Sequence, residues 1–93
     1  FLGNAGLPIL LDFYSPTCAP CLAMHHVVDC LAQRRAGEIM VARINVDHNP
    51  QLAAQFGIQA VPTFVILHKS HERARTSGAM GEADFAFWVA SKI

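Results

Sequence analysis

The run Cys18-Ala19-Pro20-Cys21 carries the side chains best suited to do chemistry. Two thiols separated by two residues at the start of a helix have a specific use. The first sits among N–H groups that lack intrahelical partners, at the positive end of the helix dipole, and its thiolate is stabilised there. The second lies one turn on, placed to close a small disulfide with the first or to resolve a mixed disulfide formed with another molecule. Zinc sites use the same spacing but need four ligands, and a set of Cys18, Cys21 and nearby His25 is one short. Covalent haem attachment needs histidine directly after the second cysteine, where Leu22 stands. Thiol redox chemistry is therefore the leading reading and metal binding the next.

Other reactive side chains have plainer alternatives. Asp12 is a lone carboxylate in an apolar run, so burial should raise its pKa toward a range where it can accept a thiol proton. The competing reading is a strand-end residue in contact with water. Cys30 follows Cys21 on the same helix at a rise of about 13 Å, too far for a disulfide, which needs Cα atoms within about 7 Å. It reads as a small, partly buried apolar residue, with a regulatory or dimer-forming thiol as the alternative. His25 and His26 read as solvated positions beside the apolar stripe.

Those residues need elements to position them. Ile9 to Tyr14, apolar except for Asp12 and bounded by Pro8 and Pro16, reads as a central strand, A, covered on both faces. From Cys18 to about Arg35, Met24, Val27, Val28, Leu31 and Ala32 form one stripe at helical spacing. Thr17 or Ser15 can cap this helix, and Pro20 is tolerable in its first turn. Met40 to Val46 is a second strand, B. Asp47-His48-Asn49-Pro50 then supplies a turn and a cap for a short helix through Phe56. Thr63 to His68 gives strand C, Lys69 to Glu72 a turn, and Arg73 to Ser77 strand D. Glu82 to Lys92 closes the chain as a helix with Phe85, Trp88 and Val89 on its core face.

The 93 residues, 53% hydrophobic and 15% charged, suit a single domain spanning 1–93 and argue against disorder. Formal net charge is zero with no block of like charges, so nucleic acid is not an expected partner. The apolar stretches are far shorter than a bilayer span, and no membrane association is expected. An odd count of three cysteines speaks against a structural disulfide framework. The first eight residues lack the basic start and long apolar centre of a secretory signal.

From Ile9 to Ile93 the sequence resembles the thioredoxin family in four separated places. Leu11-Asp12-Phe13-Tyr14 leading to Cys18-Ala19-Pro20-Cys21 is similar to the family's strand, loop and active-site helix. Arg43-Ile44-Asn45-Val46-Asp47 with Asn49-Pro50 matches its next strand and turn. Phe56-Gly57-Ile58 with Val61-Pro62-Thr63 matches the segment carrying its cis-proline, and Gly78-Ala79 with the aromatic last helix matches its ending, nearer the second bacterial type. The resemblance implies an α/β thioredoxin-like sandwich with sheet order B-A-C-D, A and B parallel and the last two strands antiparallel to their neighbours. The family's first strand and helix would precede Leu7, and no counterpart is legible: either residues upstream are missing from this sequence, or B is an open sheet edge needing cover from elsewhere.

The resemblance also implies roles. Cys18 attacks and Cys21 resolves; Asp12 takes the Cys21 proton; cis Pro62 lies opposite the pair. Thr17, Ala19, Pro20, Val61 and Gly78 form the surface where an extended substrate docks. The implied activity is protein-disulfide reduction without a bound cofactor or metal, by a cytoplasmic monomer. Its partners are disulfide-containing proteins and a thioredoxin-reductase-type electron donor. Thr17 replaces the family's tryptophan, and Ala19 its glycine. Proline at position 20 resembles reducing members more than oxidising ones. Arg43 stands where the family tends to place a lysine, and if it reaches Asp12 it favours the carboxylate and partly cancels the effect of burial. A thiol oxidant or isomerase, a metal-binding module and an interaction domain are the alternatives.

Overall fold

A computed structural model describes residues 6–93. Its elements run β1 (Ile9–Tyr14), α1 (Ala19–Arg34), β2 (Met40–Asn45), α2 (Pro50–Gln55), β3 (Thr63–His68), β4 (His71–Ser77) and α3 (Glu82–Lys92). The four strands form one sheet in the order β2-β1-β3-β4, with β1 parallel to β2 and antiparallel to β3, and β3 antiparallel to β4. This is the expected thioredoxin-like topology. β1 and β3 are central and buried along almost their whole length, as continuous apolar runs require. Among the described residues β2 and β4 are the sheet edges.

Alternation along the strands sends side chains to two separate cores. Leu10, Phe64 and Ile66 pack against Met24, Val28 and Leu31 of α1 and against Phe85 and Val89 of α3. Ile9, Leu11, Phe13, Val65 and Leu67 face the other way, where Leu52 of α2 and Phe56 cover them. Aromatic rings tie helix to sheet on each side: Phe64 meets Phe85 edge-on at 4.8 Å, and Phe13 meets Phe56 at 5.4 Å. Asp12 points to the same face as Leu10, two positions away, and therefore lies beneath α1.

Some local expectations need correction. The cap of α1 is neither Thr17 nor Ser15 but Cys18, because its extended backbone turns its own sulfur toward the first-turn amides. The Ser15 and Thr17 hydroxyls lie 3.2 Å apart and bond each other instead. β2 stops at Asn45, although the Val46 N–H still donates to the Tyr14 carbonyl at 2.9 Å. Asn49 takes the cap position of α2 but makes no side-chain cap bond, its amide donating to the Asn45 carbonyl.

β4 begins at His71 rather than Arg73. The β3–β4 hairpin needs only Lys69 and Ser70, with φ of 53° and 67°, the left-handed pair of a tight hairpin, even without the preferred Asn-Gly. Its solvent side is strongly charged: Arg75 grips Glu72 through two bonds of 2.7 and 2.8 Å and also reaches the Phe56 carbonyl. No helix among the described residues is long and apolar enough to cross a membrane.

Candidate active site

Strand β1 delivers the chain to a short loop at the sheet's end, and the Cys18 N–H closes that loop by donating to the Ser15 carbonyl at 3.1 Å. Cys18 then takes the N-cap position, and its Sγ accepts the Cys21 N–H at 3.2 Å. The sulfur occupies the place usually held by a Ser or Asp oxygen, at the positive end of a sixteen-residue helix. Pro20 costs nothing there, since a first-turn residue has no intrahelical bond for its N–H to make.

The sulfurs of Cys18 and Cys21 are joined, with Cα atoms 5.2 Å apart. Their surroundings differ. Cys21 is 1% exposed and belongs to the core, whereas Cys18 is half-buried and Ala19 and Pro20 are exposed. Of the two sulfurs, Cys18 is the one a partner can reach.

A second loop meets the pair from the sheet side. The Val61 carbonyl oxygen lies 3.7 Å from Cys18 Sγ, and the Val61–Pro62 peptide is cis. Pro62 is buried and Val61 half-buried. Three contacts hold this loop: Thr63 Oγ1 donates to the Ala60 carbonyl at 2.6 Å, Thr63 and Ser77 hydroxyls meet at 2.8 Å, and the Gly78 N–H donates to the Pro62 carbonyl at 2.9 Å. Gly78 has φ of 93°, the left-handed conformation that glycine adopts most easily. Its amide is therefore committed inside the chain. Neither Thr63 nor Ser77 stands out in the sequence, because their pairing depends on the β3–β4 register.

Asp12 is 1% exposed and neither carboxylate oxygen has a hydrogen-bond partner. Burial raises its pKa above the ordinary 3.8, opposed by the Arg43 charge and then by His25. Arg43 does reach it, but its Nε stops 3.6 Å from Oδ2, an ion pair without a hydrogen bond. The guanidinium is held outward by Nη2, which donates to Asp29 Oδ1 and to the His25 carbonyl at 2.8 Å each. The water-contact reading of Asp12 is thus overturned, and so is the solvated reading of His25. The His25 ring is half-buried edge-on against Tyr14 at 5.2 Å, and its Nε2 is buried without a partner. His26 is exposed, and Cys30 is a free, half-buried thiol.

The structure thus brings Cys18, Cys21, Val61, Pro62 and Gly78 together at one end of the sheet, with Thr17, Ala19 and Pro20 beside them on the α1 loop. A family model described as Thioredoxin matches residues 2–91. The thioredoxin of Porphyra purpurea is 45% identical over 73 residues, 78% of this chain and 67% of its own length. That of Haemophilus influenzae is 36% identical over 90 residues, 97% of this chain and 84% of its own. Among solved structures, the germline-specific thioredoxin Deadhead of Drosophila melanogaster superposes with a TM-score of 0.89 at 30% identity, covering 96% of this chain and 84% of that one. A mutant thioredoxin from Halobacterium salinarum gives 0.88 at 30% identity, with 98% and 79% covered.

Proposed function

Since this chain belongs to the thioredoxin family and is a thiol–disulfide oxidoreductase, we propose that Cys18 is its attacking thiol and Cys21 its resolving one. The observation that carries this assignment is the Cys18 sulfur, which caps α1 and accepts the Cys21 amide while remaining within a partner's reach. A negative sulfur gains at that position what a capping carboxylate gains.

In the reduced chain the Cys18 thiolate attacks one sulfur of a substrate disulfide. That S–S bond breaks, a mixed disulfide forms on Cys18, and the other substrate sulfur leaves as a thiolate. Cys21 then gives up its proton and attacks Cys18 Sγ, so the mixed disulfide breaks and the second substrate thiolate departs. The substrate has gained two electrons and this chain holds the Cys18–Cys21 disulfide. Asp12 is the acceptor we assign to the Cys21 proton. A carboxylate whose pKa is raised by burial, on the sheet face beneath α1, is a stronger base than one in water.

Substrate docking follows from the second loop. An extended peptide pairs with the main chain of Val61 beside cis Pro62, in the manner of an added strand, and rests on Thr17, Ala19 and Pro20. Gly78 contributes by fixing the Pro62 carbonyl. Thioredoxins act on protein disulfides and are recharged by thioredoxin reductase. For this chain we assign disulfide-containing proteins and a reductase of that type as partners, a cytoplasmic setting, and one monomeric domain spanning 1–93.

Insulin-disulfide reduction with dithiothreitol tests the assignment. The native chain should accelerate precipitation of the insulin B chain, and Cys18→Ser should fall to the rate of dithiothreitol alone. Cys21→Ser should accumulate a mixed disulfide visible by mass spectrometry. A Cys18→Ser chain as active as the native one defeats the proposal. A reduction potential near about −270 mV supports a reductase, and one near about −180 mV an isomerase or oxidant.

A further inference from the structure

Far along α1 from the redox pair, a second group of side chains converges. His26 and Cys30 stand one turn apart on one face of the helix, and Glu82, the first residue of α3, reaches the same spot from the neighbouring helix. Cys30 Sγ lies 3.5 Å from His26 Nε2, and the ligand atoms of all three residues fall within 4.8 Å of one another. We propose that His26, Cys30 and Glu82 bind a zinc-class divalent cation that bridges α1 and α3, with its remaining coordination position open to water.

Four features support it. Tetrahedral zinc with ordinary Zn–N and Zn–S bonds separates the two ligand atoms by about 3.6 Å, which is the spacing His26 and Cys30 already have. One thiolate, one carboxylate and one neutral imidazole balance a divalent charge, the thiol proton leaving to solvent on binding. Thiolate with imidazole selects zinc over magnesium or calcium, which prefer all-oxygen sites. Finally, Glu82 has only a weak competing partner. Its ion pair with Arg34 is 3.5 Å long between side chains 44% and 67% exposed, so a cation can displace it cheaply.

The site is independent of the redox pair. Twelve residues of helix separate Cys18 from Cys30, about 18 Å of rise, so an ion at Cys30 does not touch the exchanging sulfurs. It would occupy the free thiol and cross-link two helices.

Cobalt serves as the probe, titrated into the full chain with the Cys18–Cys21 disulfide closed and Cys30 reduced, under argon. The expected result is one cobalt per chain with thiolate-to-metal charge-transfer absorption, displaced by added zinc. Cys30→Ser should abolish that absorption, and His26→Ala and Glu82→Gln should each weaken binding by about tenfold or more. Arg34→Gln, which frees Glu82, should tighten it. Zinc should also slow alkylation of Cys30 in the native chain. Circular dichroism checks that each variant keeps its helices. No charge-transfer band in the native chain, a band that survives Cys30→Ser, or affinity unmoved by both His26→Ala and Glu82→Gln overturns the proposal.

Discussion

Asp12 is a carboxylate buried without a hydrogen-bond partner, and its burial ties stability to pH. The folded chain holds its proton more tightly than the ordinary value of 3.8, so between that value and the raised one the native state binds more protons than the unfolded state. The stability Asp12 contributes is whole below about pH 3.8 and is lost as pH rises through the folded pKa. Asp12→Asn is therefore expected to be more stable than the native chain at pH 7, with the advantage shrinking toward acid, as urea midpoints across pH will show. Arg43→Met removes the nearest opposing cation and should push the Asp12 pKa further up, read by carboxyl-carbon NMR titration. A carboxylate alone in an apolar run leaves burial and a water-contacting strand end both open, and the family resemblance, not the pattern, favours the buried acid. Asp29 was not legible in the sequence, because its hold on Arg43 spans fourteen residues and exists only once α1 lies over β2.

At the scale of elements, β1, β3 and α3 have the boundaries their patterns predict, since a continuous apolar run or a helical stripe is a strong signal. Turn chemistry is weaker. Lys69 and Ser70 adopt left-handed backbone angles that side chains with a Cβ resist, so nothing in their types marks a two-residue hairpin and β4 starts earlier than its composition suggests. Replacing the pair by Asn-Gly should stabilise the chain by about 1 kcal/mol, seen as a higher urea midpoint with an unchanged slope. The cap of α1 was hidden for a different reason. Serine and threonine are the usual choices, and a sulfur in that role is chosen for its reaction, not for helix stability.

Taken whole, the chain is a slab of 31 × 28 × 17 Å in which two thin cores share one sheet. Phe85 is the aromatic keystone of the α1–α3 side, fully buried against Phe64 and Trp88. Phe85→Ala should cost about 3–5 kcal/mol, a large part of the roughly 5–15 kcal/mol such a domain has, and calorimetry should find a much lower Tm. The topology was legible because strand and helix patterns fall in the family's order, whereas the contacts that hold the Val61–Pro62 loop emerge only from register.

The charged outer strand also governs how these molecules behave when crowded. A protein of zero formal net charge has little long-range repulsion to keep copies apart at neutral pH. Along β4, however, head-to-head zipping would strip water from Arg73, Arg75 and Glu72. Concentrated solutions near neutrality should therefore cloud without ordered stacking through β4, and turbidity should climb equally in the native chain and in a variant whose β4 edge carries an added lysine.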